Sequence, residues 1–401
     1  MTELGFGRRE LLAKTGMVAA LATLGTGCDT AELKRTIGQA VMGTPGEMLM
    51  DGSAWEFFCD TLKNAGDEII RDSVPGDELT RAEGFRYLIR LLGLGADMLM
   101  EYKTPENPAF FKLQGSHRKY AGDNPDQYYD TAIIDGRYTY KVTGTMRDTL
   151  LIEAGIYAGS FSGDNQTRRL VAYRDETEIT LNENGDFELI LSSTPQDGDW
   201  VKIEPDADAF LIRRYFADPL SKQEQPLIIE RIDMKAPTPQ LTAEAAGFGL
   251  LGAAKFVEGN SRVWREWVED IRARKTNVLE QMVDTGDIQT PDGVDYLQGY
   301  WQLAEDEALV VRFRAPDVPY WGFLIMNFWM ESLDFQNEQV TLNNHQAIVG
   351  EDGMVEIIIA HRDPGRPNWL HTTGHREGTM SLRVARLQGE MPKASVELIK
   401  L

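Results

Sequence analysis

The residues best suited to chemistry crowd into one stretch near the end of the chain. It reads His361-Arg362-Asp363-Pro364-Gly365-Arg366-Pro367-Asn368-Trp369-Leu370-His371-Thr372-Thr373-Gly374-His375-Arg376-Glu377-Gly378. Four of the five histidines (His345, His361, His371 and His375) fall within 31 residues. Between residues 361 and 386 five arginines face one aspartate and one glutamate, a local +3 in a chain of net charge −22. Two prolines and three glycines make the stretch an irregular loop. Polar groups on loops held by a rigid scaffold are where binding and catalysis concentrate.

Three chemistries fit this composition. In an anion site, the guanidinium groups of Arg362, Arg376 and Arg383 fork onto carboxylates or phosphates, and Asn368 adds a polar contact. Trp321, Trp329 and Trp369 supply apolar faces to such a pocket, lined by residues 320–383, and its ligand is a small acidic or polyhydroxylated molecule. In an acid-base site, His375 or His361 is the general base and Asp363 or Glu377 orients it, an arrangement for a hydrolase or lyase. A metal site on His371, His375 and Glu377 needs a helix to put both rings on one face. Gly374 opposes that helix, and no metal is assigned.

A structural reading stands beside these. Asp363 then caps a turn, Arg362 and Arg383 pair with carboxylates, and Asn368 and His375 satisfy backbone groups. A chain of this kind would be an envelope component that assembles through its sheet edges into an oligomer. Serine nucleophile motifs, phosphate-cradling loops and nucleotide fingerprints are absent from the sequence, which names no cofactor. Gly247-Phe248-Gly249-Leu250-Leu251-Gly252 lacks the preceding parallel strand that a dinucleotide loop requires.

The elements that must position the loop follow from periodicity. Trp55, Phe58, Leu62, Ile69 and Ile70 recur at helical spacing, as do Phe85, Leu88, Leu91 and Leu92 after the Val74-Pro75-Gly76-Asp77 break, so residues 51–115 read as a helical region opened by a hairpin. Residues 116–239 are β-rich, with Asp135-Gly136 and Asn184-Gly185 as hairpin turns. Residues 240–290 return to helix, with Trp264, Trp267, Ile271, Val278 and Met282 as its stripe. Residues 295–401 form a C-terminal β-rich domain with a turn at Asp352-Gly353. The class is α+β, an antiparallel β-sandwich of jelly-roll type with an N-terminal helical hairpin and a central helical segment. No repeat is visible in the sequence, and the two β stretches are expected to share one sheet system.

The N-terminus sets the compartment. Arg8-Arg9 followed by a short, mildly apolar run to Gly27 reads as a twin-arginine signal over residues 1–27, too short to span a bilayer. Cys28 sits where a lipoprotein signal is cut, but Gly25 occupies the place of the usual aliphatic residue. Two readings follow: lipidation at Cys28, which tethers the chain to a membrane face, or cleavage after a small residue such as Ala22. Either way the expected location is the periplasm or cell envelope. Cys59 is then the remaining cysteine, read as a buried apolar residue. The signal carries three basic and two acidic residues, so the rest is near −23, a charge that repels nucleic acid.

The C-terminal stretch resembles a bacterial family known as a domain of unknown function, numbered twelve-fourteen. The resemblance rests on Tyr320-Trp321-Gly322-Phe323, Asn327, Trp329, Glu331-Ser332-Leu333-Asp334, Leu342-Asn343 and Asp352-Gly353. It continues through Asp363-Pro364-Gly365, Pro367-Asn368-Trp369-Leu370, Thr372, Gly374-His375, Gly378 and Arg383. Upstream, Gly122-Asp123-Asn124-Pro125-Asp126, Tyr128, Tyr138-Thr139-Tyr140, Asp199-Trp200 and Arg214-Tyr215-Phe216 look similar to longer members. The resemblance implies an exported jelly-roll-like sandwich with helical additions and carries no established reaction. His371 departs from its pattern, which has Asp there.

Overall fold

The computed structural model describes residues 43–159, 169–222, 225–234, 237, 239–282 and 293–401. The twin-arginine run and Cys28 lie outside these residues. The chain is an α+β protein, and its described residues form four α-helices, a π-helical turn at Asp97–Glu101 and four sheets. Helix α1 (Pro45–Asp51) starts in a capping box between Thr44 and Glu47, and α2 (Ser53–Ile69) follows it. Asp77 caps α3 (Glu78–Ala96) by accepting from the Thr80 amide at 2.9 Å, so the Pro-Gly-Asp break sets that start.

The 33-residue α4 (Ala243–Lys275) is the spine on which the other helices lie. Its glycine run is explained by contact: a side chain on Gly247 would run into the Pro45 carbonyl. The helix stops short of its expected end. Asn277 has φ 53°, and Val278 begins a strand, so the stripe at 264–271 does not reach Val278 and Met282. On α2 the buried residues are Ala54, Thr61, Ala65, Glu68 and Ile69. Trp55 and Ile70 are exposed and Cys59 is only half-buried, because α2 packs on α4 through its small side chains.

The strands close two separate sandwiches. The first uses β1 (Phe111–Gln114), β2 (Gln127–Ile133), β3 (Tyr140–Thr145), β4 (Leu151–Ala158), β5 (Arg169–Asp175), β6 (Asp186–Ser192), β7 (Trp200–Lys202), β8 (Ala207–Tyr215) and β9 (Ile228–Arg231). The second uses β10 (Val278–Gln281), β11 (Val294–Gln302), β12 (Glu307–Arg314), β13 (Tyr320–Ile325), β14 (Thr341–Asn343), β15 (Met354–Ala360), β16 (Trp369–His371), β17 (Glu377–Ala385) and β18 (Ser395–Lys400). The first pairs a sheet of order β1-β2-β8-β4-β5 with one of order β7-β6-β3-β9, and the second pairs β10-β11-β17-β13-β14 with β16-β15-β12-β18. The β stretches therefore do not share one sheet system. Nor is Asp135-Gly136 a hairpin turn, since β2 and β3 belong to different sheets.

The two orders are the same plan with every label raised by nine. Even the parallel pairs coincide, β6 with β7 and β15 with β16. Gly185 and Gly353 occupy equivalent turns, both at φ 78°, a left-handed conformation that glycine adopts without strain. Trp200 donates Nε1–H to the Ser192 carbonyl at 3.0 Å, and Trp369 donates to the equivalent Ala360 carbonyl at 3.1 Å. The register sets Arg213 opposite Tyr129 and Glu153, and Arg383 opposite Tyr296 and Gly322. The repeat is structural, and sparse identities hide it in the sequence.

The outer faces of the two five-stranded sheets meet in a polar seam. Asn124 donates to the Tyr320 hydroxyl, which donates to Asp126, both at 2.8 Å. Tyr215 meets Tyr320 edge-on at 5.0 Å, and Arg386 reaches Glu153 and Glu176 at 3.2 Å. Tyr129 of the first sandwich lies in the field of Arg383 of the second, and Tyr296 in that of Arg213. Burial pushes the Asp126 carboxyl up to about 6 and raises Glu153 as well.

A carboxyl whose pKa is raised by folding contributes most below its unfolded value of 3.8 and loses that contribution as pH climbs through about 6. Asp126→Asn escapes this loss. The variant is expected to match the wild type at pH 4 and exceed its unfolding free energy by about 1–3 kcal/mol at pH 8, measured by urea titration. A gap that does not widen with pH contradicts the assignment.

Candidate functional site

The structure takes apart the site that the loop sequence suggests. Trp321 is 1% exposed in the core of the second sandwich, with its ring edge-on to Phe313. Trp329 is also 1% exposed, donates to the Thr80 carbonyl at 2.8 Å and stacks on Tyr87 in the helical layer. Trp369 makes the same clasp as its twin Trp200. The three tryptophans therefore do not line a common pocket.

Asn368, at φ 56°, holds Ile348 and Glu356 of the neighbouring strand region through three hydrogen bonds. Arg383 lies in the seam, donating to the Gly122 carbonyl. Arg376 points outward to Glu305 at 3.0 Å, and Arg362 is exposed.

The general-base arrangement is likewise not formed. Asp363 accepts from the Gly365 amide at 2.8 Å. Glu377 accepts from Tyr300 at 2.7 Å and faces Arg272 at 3.3 Å. His371 pairs with Glu338 at 2.8 Å. His375 is buried, with Nδ1 2.9 Å from the Thr372 carbonyl and Nε2 2.8 Å from Glu83 of α3. Two acceptors around one ring call for the doubly protonated imidazolium.

His361 sits 2.7 Å from the Thr372 hydroxyl. With Glu305, Arg362, Gly374 and Arg376 it borders a shallow depression of about 200 Å³. Among the described residues, no group of three His, Cys, Asp or Glu is placed to hold a metal, and no helix is long and apolar enough to cross a membrane.

A larger cleft, of about 790 Å³, opens at one end of the first sandwich. Its volume is in the range of small-molecule sites. The helical layer contributes Asp97 and Tyr102, the segment entering β1 contributes Phe110, and β2 and β8 contribute Tyr128, Asp130 and Arg214. Arg214 is 1% exposed. It donates Nη2–H to Asp130 at 2.8 Å and approaches the Gln225 carbonyl through Nη1 at 3.5 Å, while its Nε finds no partner among the described residues. Lys112 reaches the other Asp130 oxygen at 2.6 Å. Arg118 pairs with Asp97 at 2.6 Å. Among the described residues, Lys112 at 4.0 Å, Lys222 at 4.8 Å and Arg214 at 5.6 Å place their charges over the Tyr128 ring. Burial pulls the Lys222 ammonium down to about 8.

The second sandwich shows what this end of the fold looks like without such groups. Tyr129 and Arg213 correspond to Tyr296 and Arg383, so Asp130 corresponds to Leu297, Arg214 to Val384 and Ile152 to Trp321. Leu297, Val384 and Trp321 are buried and close the core. The strand plan therefore needs no ion pair here. Strand β8 does carry a sign of it in sequence: Arg213 and Arg214 are consecutive inside an apolar run. Neighbours on a strand face opposite ways, so one arginine had to point into the sandwich.

A structure of an uncharacterized protein from Burkholderia cenocepacia superposes with a TM-score of 0.82, at 36% identity over 88% of this chain and 99% of that one. The chain belongs to the same family. A Vibrio parahaemolyticus protein aligns at 13% identity and a TM-score of 0.44, over 78% of this chain and 98% of that one. No protein-family model and no curated protein matches the sequence. The fold shared with the Burkholderia protein is an α+β sandwich structure, and in this chain His375 ties the second sandwich to α3.

Burial opposes charge on His375, but the hydrogen bond and field of Glu83 prevail and hold its pKa above 6.5. Glu83 is held below 4.5 by the same partner despite its burial. The pair contributes fully between those values, and the contribution fades as pH rises through the raised histidine pKa or falls through the lowered glutamate one. His375→Gln is expected to lose about 3 kcal/mol at pH 6 and progressively less towards pH 9, by urea unfolding. A loss independent of pH would show that the histidine acts by packing alone.

Proposed function

We propose that the protein binds a small anionic ligand in the cleft at the end of the first sandwich. One observation carries this reading: Arg214, buried and with no partner for its Nε among the described residues, borders the cleft where the structurally equivalent residue is Val384. Burying an ion pair costs several kcal/mol of desolvation, and apolar residues of similar volume often serve stability as well. The Leu297–Val384 closure of the second half is that alternative in the same chain. A guanidinium edge left without an acceptor favours a carboxylate or phosphate oxygen. Among the described lining residues three cations stand against two carboxylates, which adds a local attraction inside an acidic protein.

Export belongs to the same reading. Arg8-Arg9 and the run to Gly27 carry the protein across the membrane folded, and Cys28 tethers it if the signal is cut there and not after a small residue such as Ala22. Binding then takes place in the periplasm or at the cell envelope. The hydrolase or lyase alternative lacks support in the loop, where Asp363 and Glu377 are engaged elsewhere.

A thermal-shift screen of monocarboxylates and phosphomonoesters on the purified protein tests this. At least one anion should raise the unfolding midpoint. Arg118→Ala should weaken its binding about tenfold, the effect of losing one charge-assisted contact of about 1.4 kcal/mol, and Arg376→Ala should leave it unchanged. Binding that is lost with Arg376 and untouched by Arg118 would move the site to the loop.

A further inference from the structure

The donors and acceptors around the cleft restrict the ligand further. Asp130 receives Arg214 and Lys112, and Asp97 receives Arg118. Each of these ion pairs borders the open volume. An ionised carboxylate has about four lone-pair sites, so the two aspartates have acceptor capacity beyond the cations they hold. A ligand that fills the cleft displaces the water that serves those sites. If its surface there is alkyl, the carboxylates are desolvated without replacement, which is costly. If it carries hydroxyls, their O–H groups donate to Asp97 and Asp130, and their oxygens accept from Arg118. A simple small carboxylate such as acetate satisfies the arginine and offers the aspartates nothing.

The apolar part of the lining is narrower. Tyr102 and Phe110 offer ring surface beside the ion pairs, and both are half-buried, packed against Phe111 at 5.0 Å and Phe210 at 6.0 Å respectively. Fixed rings beside paired polar groups suit a compact molecule with C–H faces and a hydroxylated edge. They do not form the continuous apolar channel that a long acyl chain needs. Resting on the anion-binding reading, we infer that the ligand is a hydroxylated carboxylic acid of the sugar-acid class, with its carboxylate at Arg214 and its hydroxyls at Asp97 and Asp130.

The experiment is isothermal titration of the full-length protein with four probes: glucuronate, glucose, acetate and octanoate. Glucuronate should bind at least tenfold tighter than glucose or acetate, since it alone meets both halves of the lining. Asp97→Ala, checked for folding by near-ultraviolet circular dichroism, should weaken glucuronate about fivefold or more and leave acetate within twofold. Octanoate binding tighter than glucuronate, or acetate equal to it, overturns the hydroxy-acid inference and leaves the anion site standing. Failure of all four probes, with a silent anion screen, overturns both.

Discussion

Each five-stranded sheet must bury both of its faces, and the rest of the structure depends on that constraint. Strands β8 and β17 show how it is met. Phe210 and Ile212, or Met380 and Leu382, point into their own sandwich, and Arg213 or Arg383 points to the seam. Apolar burial holds each sandwich together without fixing how the two lie against each other, because it is non-directional. The Asn124–Tyr320–Asp126 relay and the Arg386–Glu153 pair are directional, so they set the docking. With the seam fixed, α3 reaches the second sandwich through Glu83 and His375, and the segment before β1 is carried over the end of the first.

Two copies of one strand plan in one chain make each half a control for the other. Where the halves agree, the plan itself accounts for the residue: Trp200 and Trp369 close the same parallel pair, and Gly185 and Gly353 make the same turn. Where they differ at equal depth, something beyond the plan is needed. The exchange of Leu297 and Val384 for Asp130 and Arg214 is that difference, and it coincides with the cleft of about 790 Å³.

The sequence made some of this visible and hid the rest for physical reasons. Helical periodicity and the Val74-Pro75-Gly76-Asp77 break placed α2 and α3, although the exposed face of α2 holds Trp55 and the buried face holds alanines, since close packing on α4 rewards small side chains. The turns at Asn184-Gly185 and Asp352-Gly353 were legible as turns because local backbone conformation dictates them. Their equivalence was not, because a sandwich requires only alternation, which many sequences satisfy. The 361–378 stretch, which is not a loop throughout but holds β16 and the start of β17, drew attention through proximity along the chain, yet its side chains turn to separate partners in β11, α3, α4 and the surface. The cleft residues, by contrast, are drawn from Asp97 to Leu227 and meet only in the fold, where the β2–β8 register sets Tyr128, Asp130 and Arg214 near the helical layer, with consecutive arginines in an apolar strand as the local trace.

The central claim is that the Asp130–Arg214 pair is present for a ligand and not for the fold. The most direct test is the unfolding free energy, at neutral pH, of the double variant Asp130→Leu with Arg214→Val, which gives the first sandwich the residues of the second. The account predicts a stability equal to or above that of the wild type, by up to about 4 kcal/mol, as found when buried ion pairs give way to well-packed apolar residues. A loss of about 3 kcal/mol or more would contradict it and make the pair part of the first sandwich's framework.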